Sequence, residues 1–286
     1  MMKYKTGEIG PDEIREPAVA GQFYAGGAAD LRNEVSTMLR RPPSRRAGPP
    51  REVIAGVVPH AGYMYSGAVA ARFYLFIAGA EPSLAVIISP SHRERFAAIS
   101  IFGGKAYRTP LGDVPVNREV AEDLIRHGAP FVNDWRGHNA EHALEVQLPF
   151  LQMLWPDLDI VPIVMGEQSA DFCEPLGVAL AETLRHRRAI IVASSDLSHY
   201  HSHQQARQID QRVLRAVRKF DPERLLKEFE SGKAEACGGG PMVAAMFAAQ
   251  RLGATKAQVL DYRDSSAVSG DESQVVGYMA AAFFKA

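Results

Sequence analysis

Four short segments carry side chains able to do chemistry together. Val58-Pro59-His60-Ala61-Gly62 places an imidazole where an apolar run gives way to a glycine-punctuated turn, and Ser91-His92 does the same after a second apolar run. Ser195-Asp196-Leu197-Ser198-His199 follows a third, and Ala236-Cys237-Gly238-Gly239-Gly240 sets a thiol in a Gly-rich turn. Imidazole suits iron, copper or zinc, and two histidines plus one anionic donor form the smallest set that holds a divalent ion while leaving positions open. His60 and His92 are the candidate nitrogen donors. Cys237 is the candidate third donor, because a nearby cation stabilises the charged sulfur and the helix expected from Pro241 turns its positive end toward it. Plain structural readings stand beside these: His60 as a turn histidine, His92 as a surface residue among Arg93, Glu94 and Arg95, Cys237 as a small buried hydrophobe. Cys237 with His199 would also serve as a nucleophilic pair.

Asp196 and His199 are three residues apart, close enough for a carboxylate to orient an imidazole acting as acid or base, although Ser195 and Asp196 are also good helix caps. His201 and His203 lie at a helix start and read as solvent-facing, and Cys173 sits in a helical pattern as a core residue. His138-Asn-Ala-Glu141-His142 fits the H-x-x-E-H pattern of inverted zinc peptidases, which needs both histidines on one helical face. Glu141 and Glu145, one turn apart at the start of an amphipathic segment carrying Leu144, Leu148 and Leu151, read equally as carboxylates compensating a helix dipole.

Apolar, β-branched runs must position these groups. Residues 53–58, 84–89, 160–165, 189–194 and 257–262 read as strands, with 96–102 and 275–284 as further candidates. Helical periodicity covers 30–39, 68–77, 117–127, 141–155, 170–187, 204–220, 222–229 and 241–252. Asn117 and Asp221-Pro222 are expected helix starts. Strands alternating with helices predict an α/β fold with a central, mostly parallel or mixed sheet flanked by helices. The turns at strand C-termini would then bring His60, His92, Asp196 and His199 to one sheet edge. A single domain is expected over residues 1–286, with a flexible N-terminal segment of about 16 residues and a Pro/Arg-rich surface loop near 40–50.

With 32 Lys plus Arg against 33 Asp plus Glu, no global field favours nucleic acid or an anionic membrane. The 47% apolar content suits an ordinary globular core. Two cysteines cannot build a disulfide framework. The start lacks a signal-peptide core, so a cytoplasmic location is expected.

Taken together, Ala20-Gly-Gln-Phe-Tyr24, Pro59-His-Ala-Gly-Tyr63, Ser89-Pro-Ser-His92, Tyr107-Arg-Thr-Pro-Leu111, Glu141-His-Ala-Leu-Glu145, Ser194-Ser-Asp-Leu-Ser-His199 and Ala236-Cys-Gly resemble the recurring segments of the Memo-like family. The resemblance spans residue 16 to the C-terminus and implies a fold like the class III extradiol dioxygenases, with a non-haem iron pocket. It carries metal ligation to His60, His92 and Cys237, with Fe(II) as the expected cofactor and copper or zinc as alternatives. It sets Asp196 and His199 beside them as catalytic residues, and Phe23, Tyr63, Glu141 and His142 as substrate-binding residues. A thiolate stands where those dioxygenases use a carboxylate, so ring cleavage does not follow from fold; Glu235 would be the harder substitute donor. The implied function is that of an iron-dependent oxidoreductase or dioxygenase-like enzyme acting on a small aromatic molecule. The alternative is a non-catalytic pocket for an aromatic or phosphotyrosine-type peptide, with Arg93, Arg95 and Arg108 as a phosphate site. The resemblance also implies a radical SAM protein partner.

Overall fold

Strands buried on both faces need apolar side chains at every position, and the continuously apolar runs meet that demand. In the computed structural model, which describes residues 4–40 and 52–286, they form the middle of a nine-stranded sheet. The strands are β1 (Ile14–Arg15), β2 (Glu52–Val58), β3 (Leu84–Pro90), β4 (Ile99–Ile101), β5 (Ala106–Thr109), β6 (Gly112–Pro115), β7 (Phe131–Val132), β8 (Asp159–Met165), β9 (Ala189–Ser194), β10 (His199–His201), β11 (Lys256–Asp264) and β12 (Val275–Lys285). The helices are α1 (Ala28–Leu39), α2 (Tyr63–Ile77), α3 (Arg118–Ile125), α4 (Leu148–Leu154), α5 (Ala170–Leu184), α6 (His203–Lys219), α7 (Pro222–Glu230), α8 (Gly239–Arg251) and the single turn α9 (Ser266–Ser269).

The sheet order is β10-β12-β2-β9-β3-β8-β4-β7, with β11 paired to β12. The central strands β2, β9, β3 and β8 run parallel, while β12 is antiparallel to β2 and β4 is antiparallel to β8. The sheet is therefore mixed with a parallel centre. Alternate residues of one strand enter opposite cores: Val86 and Ile88 pack with Leu176, Leu180 and Met246, whereas Ala85 and Ile87 pack with Phe73, Tyr74 and Phe150. Burying each such large side chain stabilises the fold by about 1.5–3 kcal/mol. Asn117 and Asp221 cap α3 and α7 as expected, accepting from the N–H of Val120 and of Arg224.

Three expectations change. The segment 141–155 is not one helix; a three-residue 3-10 turn at Glu145–Gln147 precedes α4, and Glu141 lies in a loop. The reason is that both carboxylates are taken by distant backbone donors, Glu141 by His92 and Glu145 by Ala18 and Val19, which holds the segment out of helical register. The dipole and inverted-peptidase readings of that segment fall with the helix. Of the N-terminal segment, expected to be flexible, the described residues Ile14–Arg15 form β1, paired in parallel with β5, and Ile9 and Arg15 are buried. The small sheet β1-β5-β6 that holds it went unread, because its strands are too short to show a period. The connector near 40–50 lies, from residue 41, outside the described residues.

Candidate metal centre

Three adjacent strands, β2, β9 and β3, deliver the site from their C-terminal ends. His60, Asp196 and His92 each stand two residues beyond the last residue of β2, β9 and β3. The Cys237 turn, just before α8, lies across the end of β9: Cys237 N–H donates to the Asp196 carbonyl at 3.3 Å and Gly238 N–H to Ser195 Oγ at 2.9 Å. Glycine is required there, since a Cβ on Gly238 would meet the Ser194 carbonyl oxygen at 2.4 Å.

Neighbours decide which nitrogen of His60 carries its proton. Ser194 Oγ donates to the Ala143 carbonyl at 2.6 Å and accepts from Gln147 Nε2 at 2.8 Å, so toward His60 Nδ1, at 3.0 Å, it accepts. His60 Nδ1 is therefore protonated and Nε2 presents a lone pair to Cys237 Sγ, 3.2 Å away. Burial, then the nearby His92, push His60 down to about 3, so its imidazole is neutral. Asp196 accepts the backbone N–H of His60 at 2.8 Å, and burial raises its carboxyl.

His92 is held from the other side. Glu141 Oε1 lies 2.9 Å from His92 Nδ1, and Oε2 accepts the His92 backbone N–H at 2.6 Å. Burial alone would raise Glu141, but the hydrogen bond and charge of His92 outweigh it and bring the carboxyl down to about 2. Ligand atoms of His60, His92 and Cys237 all lie within 4.8 Å of one another. In a tetrahedral site, nitrogen and sulfur donors stand roughly 3.3–3.6 Å apart, so a borderline-soft ion fits this set with a modest drawing-in of the turns. Burial, then the Asp196 charge, push the Cys237 thiol up, against the thiolate expected from the α8 N-terminus.

His92, Glu141 and His142 form a second group with the same spacing. Its carboxylate is already committed, because Oε1 also accepts the N–H groups of His142 at 2.9 Å and Ala143 at 2.8 Å. The His142 ring stands 5.4 Å from that of His60 and 4.7 Å from that of His92, and Phe23 packs edge-on against it at 4.8 Å. Phe23 and His142 thus form one aromatic wall of the site. Burial, then His60, lower His142 to about 4.

The Memo-like protein family matches residues 15–282. The chain belongs to that family. MEMO1 family proteins of Methanosarcina mazei and Pyrobaculum aerophilum are 38% and 36% identical to it over 271 and 279 residues, covering 94% and 95% of this chain and 98% and 99% of those proteins. The crystal structure of an uncharacterised Escherichia coli K12 protein, JW3007, superposes with a TM-score of 0.54 at 15% identity, covering 81% of this chain and 99% of that one. That likeness concerns the fold alone.

Several residues of the Memo-like chain take roles other than those expected. Tyr63 is a core residue, 5% exposed, packed against Tyr24 and Phe150 with its hydroxyl donating to the Val146 carbonyl at 2.6 Å. His199 is oriented not by Asp196 but by the Leu197 carbonyl, 2.7 Å from Nδ1, which leaves Nε2 without the proton. It lines a cavity of about 370 Å³ with Leu197, Phe229 and Glu235. Glu235 pairs with His201 at 2.8 Å and is not within the donor set. His201 and His203, expected to face solvent, are half-buried in ion-pairing positions with Glu235 and Asp264. Arg108 is taken by Glu16 and Asp113 at 2.7 and 2.6 Å, which leaves Arg93 and Arg95 from the expected phosphate cluster. His138 is turned away into Phe102 and Tyr107, with Nδ1 2.6 Å from the Tyr107 hydroxyl. Cys173 is buried in the core as expected.

Sequence reasoning passed over Ser194, Gln147 and the Arg15–Glu145 pair as parts of this site. A serine closing an otherwise apolar strand was the available signal for the first. The others depend on contacts across 47 residues for Gln147 and Ser194 and 130 for Arg15 and Glu145, which no local pattern reveals.

Proposed function

We propose that this Memo-like chain is a non-haem metal oxidoreductase in which His60, His92 and Cys237 hold Fe(II), with copper and zinc as the competing ions. The observation that carries this reading is the convergence of two imidazoles and a thiol within 4.8 Å, with the proton of each ring committed to an acceptor on its far side. A bound ferrous ion would supply open coordination positions and one-electron chemistry that no side chain here possesses. The protein's own contribution is orientation and proton handling. Ser194 and Glu141 fix the two rings, and Asp196 anchors the His60 backbone. His199 Nε2 is free to take or return a proton. Phe23 and the His142 ring, edge-on to each other, offer aromatic contacts to an aromatic substrate. The thiolate makes the centre softer and itself oxidisable, which favours electron transfer over the chemistry of a carboxylate site.

Anaerobic reconstitution is expected to give one iron per chain, with His60→Ala and Cys237→Ala each losing it. Retention of iron by both variants overturns the assignment. Oxygen uptake with catechols then tests turnover. The Phe23–His142 wall also suits a non-catalytic pocket for an aromatic or phosphotyrosine-type ligand, and calorimetric binding without oxygen uptake in the iron-loaded protein would select that reading.

A further inference from the structure

Glu141 is a buried carboxylate, 3% exposed, beside two histidines, a setting that invites assignment as a metal ligand or a substrate contact. Its hydrogen bonds argue for neither. Oε2 accepts the backbone N–H of His92, and Oε1 faces His92 Nδ1 while also accepting the N–H groups of His142 and Ala143. Three donors crowd Oε1, more than its two lone pairs, and a fourth holds Oε2 against the His92 backbone, so the carboxylate is committed to the protein rather than to an ion.

We propose that Glu141 acts on the metal through His92: it holds the ring in the tautomer with the proton on Nδ1, so that Nε2 is offered to the ion, and stays out of the coordination sphere itself. This rests on the reading of His60, His92 and Cys237 as the metal centre. An ionised carboxylate can only accept, so a ring nitrogen 2.9 Å from it must be the protonated one. The clasp matters more for His92 than Ser194 does for His60, because the His92 side chain is 27% exposed on a loop, where an unrestrained ring would turn and sample both tautomers. The backing also differs in kind. His60 is held by a neutral hydroxyl and His92 by a carboxylate, and a carboxylate behind an imidazole raises its basicity toward the metal. His92 is thus the stronger nitrogen donor of the pair, and Glu141 is a positioning residue.

The test reads the tautomer directly. In metal-free wild-type protein with ¹⁵N-labelled histidine, at pH about 8.5 where imidazoles are neutral, the His92 signals, assigned by their loss in His92→Gln, are expected to show a protonated Nδ1 and an unprotonated Nε2. Glu141→Gln keeps one oxygen, and whichever way the amide sits its N–H₂ group faces a His92 donor, either the backbone N–H or the ring Nδ1–H, so the clasp is broken on one side. It is expected to weaken zinc binding, measured by chelator competition, about 10–100-fold, with the His92 proton moved toward Nε2 where the N–H₂ group faces the ring. A wild-type His92 protonated at Nε2 overturns the proposal, and so does a Glu141→Gln protein with unchanged tautomer and unchanged zinc affinity. If Glu141→Gln does not fold, the wild-type spectrum alone decides. A wild-type chain with the expected tautomer that takes up neither zinc nor iron overturns the metal-centre reading, while the placement of the His92 proton by Glu141 stands.

Discussion

Ser194 Oγ joins Ala143, Gln147 and His60 in one buried network. Ser194→Ala leaves the Gln147 amide and His60 Nδ1 without their acceptor, which should cost about 1–3 kcal/mol in denaturant unfolding and weaken metal binding as the His60 ring loses its fixed tautomer. Tyr63→Phe is the contrasting case. It should cost about 1 kcal/mol through the lost bond to the Val146 carbonyl and leave aromatic-ligand affinity unchanged, since the ring packs in the core. His138 sets a pH dependence remote from the metal donors. Burial, then the Arg15 charge, lower it from 6.5 to about 3, so the folded chain keeps it neutral while the unfolded chain protonates it. Its contribution is fully present above pH 6.5 and is lost as pH falls toward 3, by up to about 1.4 kcal/mol per pH unit. Urea titrations of wild type and His138→Gln between those pH values should show a flatter slope in the variant. The convergence of His60, His92 and Cys237 was legible in the sequence because each follows an apolar strand or sits among glycines. Their supports were not, because a serine, a glutamine or a glutamate gains that role only from what folds beside it.

Elements aim these side chains. The Cys237 turn is seated by Gly238 against the end of β9, where a Cβ would press on the Ser194 carbonyl. Gly238→Ala should therefore lift the turn, weakening iron or zinc retention while circular dichroism stays native-like; unchanged metal affinity would show that the seat is not needed. The long strands and most helices were readable from periodicity, since a parallel strand buried on both faces has an unmistakable composition. The segment 141–147 was not, because its polar side chains compete for backbone partners and outweigh an amphipathic pattern that favours helix. The irregularity in β10 between His199 and His201 was likewise unreadable. Tyr200, 72% exposed, adopts φ 61°, a left-handed conformation that a bulky residue holds only when its surroundings impose it.

Across the whole molecule, the mixed sheet separates two apolar cores and carries the donor set on one edge. The Arg15–Glu145 ion pair is buried to 1% and 0% exposure. Arg15 also donates to the carbonyls of His138 and Glu141, and Glu145 accepts from Ala18, Val19 and the Tyr24 hydroxyl. Arg15→Met should destabilise the chain by about 3–5 kcal/mol in urea unfolding, because it strands a buried carboxylate; a loss below about 1 kcal/mol would contradict that account. The α/β class could be read from the sequence. The anchoring of the N-terminus could not, since an arginine in a polar segment looks solvated until its partner, 130 residues later, is in place.

That separation has a consequence for biosynthesis. Residues 4–24 leave the ribosome before their partners: Arg15 has none of its acceptors until His138 emerges, the Ala18 and Val19 amides wait for Glu145, and His60 meets Cys237 only after a further 92 residues, 237 less 145. A chain made only as far as Glu145 thus lacks part of the group of side chains that converges at the sheet edge, and that pocket is complete only once Cys237 has emerged.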